Sequence, residues 1–123
     1  MLNIPAIRWG KPYESLETDE VLHFDTGEPI AKVSQANGGI VQRDMRNVQK
    51  ARDILREFSC EELIEKIKTA ADLYLNATLP LGDGTQSTEK CANQQTAITG
   101  LPENMFKGNM SKIHIVLHNK RMN

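Results

Sequence analysis

Between Asn37 and Ala77 the apolar positions keep a helical step almost without interruption. Val41, Met45, Val48, Ala51, Leu55 and Phe58 recur every three or four residues with Arg, Asp, Gln and Lys between them. That spacing gathers them on one stripe and predicts a helix over 39–58. A second stripe, Leu63, Ile64, Ile67, Ala70, Ala71, Tyr74 and Leu75, predicts a helix over 60–77. Its start is marked by Ser59-Cys60-Glu61-Glu62, in which the Ser59 side chain caps the Glu62 N–H and the Glu62 carboxylate reaches back to the Ser59 N–H.

Ahead of these helices the period is shorter. Val21 and His23, then Ile30 and Val33, lie in two short runs on either side of Asp25-Thr26-Gly27-Glu28. Thr26-Gly27 permits the positive φ of a tight turn, so a β-hairpin is predicted with 20–25 paired to 29–34 and the unit ending at residue 35. Pro29 has no N–H to donate and belongs at a strand start or edge. Residues 1–19 sustain no period, and Pro5 and Pro12 bias their neighbours away from helix, which predicts an extended arm anchored by Trp9 and Tyr13.

Behind the helices, Thr78 to Thr85 contains Pro80, Gly82 and Gly84 and is expected to be loop. Ser87 then caps a helix over 88–99, stopped by Gly100 and Pro102. Met105, Phe106, Met110, Ile113, Ile115, Val116 and Leu117 predict a last helix over 103–118. Positions 113, 115, 116 and 117 cannot share one face at about 100° per residue. An apolar face near Ile113, Val116 and Leu117 is therefore expected to need cover from a second copy or from further chain. The fold class is α+β and mainly helical: an arm over 1–19, then a partial domain over 20–123 made of one hairpin and about four helices.

Composition narrows the chemistry. Of 123 residues, 39% are apolar but only 5% aromatic, so the core must be aliphatic and mostly helical. Fifteen basic and sixteen acidic residues give a net charge of −1, with signs interspersed, which argues against nucleic acid or an anionic membrane as a partner. No signal-peptide pattern and no apolar run of about 18 residues is present, and a cytoplasmic protein is expected. On that expectation Cys60 and Cys91 are reduced thiols, and the glycosylation patterns at Asn76 and Asn109 are chance.

Candidate chemistry is sparse. Gly38-Gly39 lacks the spacing of a phosphate-binding loop, and Gly82-Asp83-Gly84 lacks the further carboxylates of a calcium loop. Cys91 has only Lys90 beside it to favour a thiolate, with no base in reach. His114 and His118 stand four apart, as two zinc ligands do in His-Glu-x-x-His, but the Glu is missing and the local sequence supplies no third ligand. No catalytic, cofactor-binding or metal residue is assigned on these grounds.

Several stretches resemble the N-terminal region of bacterial proteins of the aldehyde dehydrogenase superfamily, on its acyl-CoA-reductase-like side. They are Trp9-Gly10 with Pro12-Tyr13-Glu14-Ser15-Leu16, then His23-Phe24-Asp25-Thr26-Gly27-Glu28-Pro29, then Ser34-Gln35-Ala36-Asn37. Asp44, Ala51-Arg52, Thr99-Gly100-Leu101-Pro102 and Asn109-Met110 extend the likeness to about residue 117. The resemblance implies a helical layer preceding a nucleotide-binding domain, NAD(P) as the full-length family's cofactor, and an aldehyde or acyl thioester as substrate. It also implies that the oxyanion Asn, nucleotide Lys, general-base Glu and nucleophilic Cys lie further along. None has a counterpart here, so neither Cys60 nor Cys91 inherits a role and the chain is expected to be a truncated, inactive N-terminal piece.

The same chemistry makes that expectation physical. Reaction through a thiohemiacetal needs a thiolate, oxyanion donors, a base and a positioned nicotinamide, and a parallel βαβ scaffold to hold the nucleotide. A small stand-alone helical interaction module is the alternative. A minimal enzyme built on His114, His118 and Cys91 is a third, disfavoured by its ligand count.

Overall fold

The computed structural model describes residues 1–119 and is an α+β, mainly helical structure. The last residues of the expected partial domain, 120–123, lie outside the described residues. In chain order come β1 (Leu2–Ile4), β2 (Ala6–Arg8), β3 (Lys11–Tyr13), β4 (Thr18–Leu22) and β5 (Pro29–Ser34). They are followed by α1 (Gly38–Met45), α2 (Val48–Leu55), α3 (Cys60–Asn76), β6 (Leu79–Leu81), β7 (Gly84–Gln86), α4 (Thr88–Thr99) and α5 (Glu103–His118).

β4 and β5 form the hairpin, from Thr18 opposite Ser34 to Leu22 opposite Pro29. Pro29 begins its strand where the register shifts between Val21 and Leu22, so its missing N–H interrupts no regular rung. The turn is locked by its own groups. The amides of Asp25 and Thr26 approach His23 Nδ1 at 3.2 and 3.4 Å, and Gly27 takes φ +70°.

The arm expected over 1–19 is instead strand. β1 adds in parallel to β5, making the order β1-β5-β4, and Ala31 of the central strand is buried between Leu2 and Val21. β2 and β3 form a second hairpin, Ala6 opposite Tyr13, with Trp9 and Gly10 at its tip. Both tip residues have positive φ, +54° and +76°. A two-residue type I′ turn demands this, and a non-glycine residue pays about 1–2 kcal/mol of strain for it.

Two other expectations are corrected. The stripe over 39–58 belongs to two helices, not one. At Asn47 the backbone leaves the helical region, φ −105° and ψ 6°, its N–H closes a tight turn on the Asp44 carbonyl, and α2 restarts beyond it. Neither helix packs extensively on another element, so little tertiary packing holds the polar Arg46-Asn47 pair helical. The segment over 78–85, expected as loop, is the hairpin β6–β7, Leu79 opposite Gln86. Its turn is seated on β1, where the Asn3 N–H and Nδ2 donate to Asp83 at 3.1 and 3.0 Å.

α3, α4 and α5 make the helical body. Ala71, Ala92 and Met110, one from each helix, are its buried residues, and the two alanines let the backbones approach closely. Ser59 and Glu62 form the capping box on α3. Ser87 caps α4, which ends at Gly100 with φ +75°. The sheet joins this body through Phe24, whose N–H donates to the Ala97 carbonyl at 2.9 Å and whose ring lies where a Cβ on Gly100 would meet it at 2.9 Å.

Candidate functional site

Three groups of side chains bear on what the chain could do. In the first, the β2–β3 hairpin clasps α1. The Arg8 guanidinium donates to both oxygens of Asp44, at 2.8 and 2.7 Å, and Trp9 Nε1 adds a third bond at 3.1 Å. Arg8 also stacks over the Tyr13 ring, 4.6 Å from its centroid. The Arg8 hydrogen bond holds the Asp44 carboxyl down at about 2, with Trp9 contributing. Trp9 and Tyr13 thus fasten the hairpin, and the strained φ at Trp9 is offset by the bond its indole makes.

The second group is the pair of thiols. Cys60 is the first residue of α3 and is exposed, while Cys91 is half-buried on α4. Burial pushes the Cys91 thiol up from its ordinary value, the opposite of what a nucleophile requires. Its neighbour Tyr74 is raised as well, first by burial and then by Cys91. Burial is the one cause acting on the Cys91 thiol among the described residues. Gly38-Gly39 opens α1, where Asn37 Oδ1 accepts from the Ile40 N–H at 3.0 Å. Asp83 spends its carboxylate on Asn3.

The third group was only half legible. His114 and His118 lie one turn apart on α5 with rings stacked, centroids 5.3 Å apart. Both Nε2 atoms face Asp72 Oδ1 of α3, at 2.9 Å for His114 and 3.9 Å for His118. The histidine spacing could be read from the chain. The carboxylate could not, because it comes from another helix.

Around these places the surface is apolar. Val41, Met45, Val48, Ile54 and Leu55 of α1 and α2 are exposed, and Phe58 and Leu73 line an open groove along α3 with Ala70 and the stem of Lys66. On α5 the exposed apolar residues are Met105, Ile113, Ile115 and Val116, whereas Leu117 is half-buried and is not part of the open face. Among the described residues no helix is long and apolar enough to cross a membrane. No protein-family model, no curated protein and no solved structure matches this chain.

Proposed function

We propose that this chain is the N-terminal, non-catalytic layer of an NAD(P)-dependent oxidoreductase resembling the aldehyde dehydrogenases and acyl-CoA reductases, acting on an aldehyde or acyl thioester. Further chain supplies its nucleotide site, nucleophile and base. The observation that carries this reading is an unfinished core. The accessible surface is 9163 Å², where a folded monomer of 13.8 kDa exposes about 6,600 Å². No large side chain is fully buried among the described residues. The excess, about 2,500 Å², is of the size that one partner buries in a large permanent interface.

The sequence likeness supports the oxidoreductase part, through the His23 to Pro29 turn, Trp9-Gly10 and Ser34 to Asn37. The non-catalytic part is supported by Cys91, whose thiol is raised by burial. A stand-alone helical interaction module is the second reading. The exposed apolar residues of α1 and α2 favour it, because such a face is also what a docking module presents.

One experiment tests the proposal. The 123-residue chain and a longer chain read through the coding sequence beyond Asn123 are assayed with NAD or NADP against short and long aldehydes and acyl thioesters. The short chain is expected to be silent and the longer one active. Turnover by the short chain that disappears in Cys91→Ser overturns the proposal, and a coding sequence that ends at Asn123 moves the reading to the interaction module.

A further inference from the structure

We infer that Asp72, His114 and His118 form a divalent transition-metal site, of the kind that takes Zn²⁺ or Co²⁺, clipping α3 to α5. The inference uses only these three residues and does not depend on the oxidoreductase reading.

Residues four apart on a helix stand one above the other, so His114 and His118 present their imidazoles to the same side. Their rings are close to parallel, with an interplanar angle of 26°. Both offer the same atom, Nε2, and both Nε2 atoms converge on one carboxylate oxygen. Two imidazoles and a carboxylate, with a fourth position open to water, are a common donor set for a zinc ion. Imidazole nitrogen favours zinc, cobalt, nickel and copper over magnesium and calcium, which want oxygen alone.

The two carboxylate–imidazole separations come close to what such an ion needs. With metal–nitrogen and metal–oxygen bonds of about 2.1 Å in a tetrahedral site, any two ligand atoms are about 3.4 Å apart. The separations from Asp72 Oδ1 are 2.9 Å to His114 and 3.9 Å to His118, each within about 0.5 Å of that value, one short and one long. Without a cation, His114 takes the carboxylate as a hydrogen-bond partner and His118 stands off. As the side chains stand, no group of three or more His, Cys, Asp or Glu among the described residues is placed to hold a metal ion, so this trio must move to do so. Closing the site requires the Asp72 carboxylate to ease back from His114 and the His118 ring to swing in. The His118 side chain, 46% exposed, is free to move, and Asp72, 55% exposed, leaves the cation a path. His114, 20% exposed, is the fixed wall.

The position gives the ion a structural consequence. Asp72 follows Ala71, and His114 is one turn beyond Met110, so the clip lies beside the buried contact between α3 and α5. An ion bound to the folded chain and not to the unfolded one stabilises it by mass action.

The test uses the full chain, free of any purification tag. Zn²⁺ is titrated calorimetrically, and Co²⁺ is followed by visible absorption. One ion per chain with micromolar affinity is expected, together with the intense visible bands of tetrahedral cobalt, no thiolate charge-transfer band, and a Tm that rises with Zn²⁺. His118→Gln and Asp72→Asn are each expected to weaken binding about 10-fold or more, and Cys60→Ser with Cys91→Ser to leave it unchanged. His118 is near the end of α5 and half exposed, so its variant reports binding without threatening the fold. Affinity unchanged in His118→Gln, affinity lost in His118→Gln but unchanged in Asp72→Asn, a thiolate band, or no saturable binding would each overturn the three-ligand site.

Discussion

Arg8 meets Asp44 as a two-pronged fork on a carboxylate, Nε to Oδ2 at 2.8 Å and Nη2 to Oδ1 at 2.7 Å, across 36 residues of chain. This pair and the Trp9 indole tie β2–β3 to α1. They also set a pH dependence. Asp44 is held at about 2 in the folded chain, against about 3.9 for an unperturbed Asp. A depressed carboxylate contributes stability that is present above the unfolded value and lost as pH falls through the folded one. The clasp should therefore release between about pH 4 and 2. Emission from Trp9, the sole tryptophan, should shift over that window. In Arg8→Gln the Asp44 midpoint, followed by carboxyl-carbon NMR, should climb back toward the ordinary range. A midpoint unmoved by Arg8→Gln would mean the fork is absent in solution.

The capping box on α3 predicts a non-additive pair. The Glu62 N–H donates to Ser59 Oγ at 3.2 Å and the Ser59 N–H to Glu62 Oε2 at 2.7 Å. Ser59→Ala should cost about 1 kcal/mol. Because each variant also loosens the other bond, the double variant should destabilise by less than the two singles together, measured by urea unfolding. Strict additivity would mean the two bonds form independently.

Gly82 and Gly27 both have positive φ, +59° and +70°, but differ in their surroundings. A Cβ on Gly82 would fall 1.6 Å from the Asn3 carbonyl oxygen, which is backbone and cannot step aside, while one on Gly27 meets nothing within 4 Å. Gly27→Ala should cost only its left-handed strain, about 1–2 kcal/mol. Gly82→Ala should cost more and also separate β6–β7 from β1. Amide exchange at Asp83, whose N–H reaches the Asn3 carbonyl at 3.3 Å, would report that separation. Equal costs for the two variants would show that the turn does not sit on β1.

What the sequence made legible was local. Ser59 and Glu62, Ser87, and Gly100 with Pro102 are start and stop signals that act within a few residues, and the helices they bound lie where those signals put them. The misses involve partners far away in the chain. Leu79-Pro80-Leu81 is too short and too rich in turn formers to read as a strand, yet it pairs because its turn docks on Asn3, 80 residues earlier. β1 is three residues long and forms only because β5 offers a free edge. The break at Asn47 failed differently. The stripe from Val41 to Phe58 keeps its period across Asn47, and only the lack of packing on α1 and α2 lets the helix stop there. At the candidate site the His114–His118 spacing was visible and Asp72 was not, for the same reason of distance.

The thiols give a simple chemical check. Cys60 is exposed and Cys91 is half-buried with its thiol raised by burial. An aromatic disulfide reagent at neutral pH should modify Cys60 promptly and Cys91 slowly, with the two rates converging in denaturant. Faster reaction at Cys91 in the native chain would reveal an activating neighbour and would reopen its candidacy as a nucleophile.

The last prediction concerns the surface the fold leaves open. Val41, Met45, Val48, Ile54 and Leu55 on α1–α2 and Ile113, Ile115 and Val116 on α5 are between 37% and 59% exposed. Among the described residues, those buried in exchange are three alanines and Met110. Burial at roughly 25 cal/mol per Å² is the main force holding a domain together, and alanines contribute little of it. The isolated chain should therefore either associate, covering these faces with a second copy, or stay loosely packed. Light scattering with a hydrophobic dye separates the cases. Association gives a mass above 13.8 kDa that falls on dilution, and loose packing gives a monomer that binds dye strongly and unfolds with little cooperativity. Ile115→Glu with Val116→Lys on α5 should reduce either signal without disturbing Met110, because both residues are more than half exposed while Met110 is buried. A monodisperse monomer that ignores the dye and unfolds sharply would show that α1 to α5 close on themselves in solution, and would remove the main support for a missing partner.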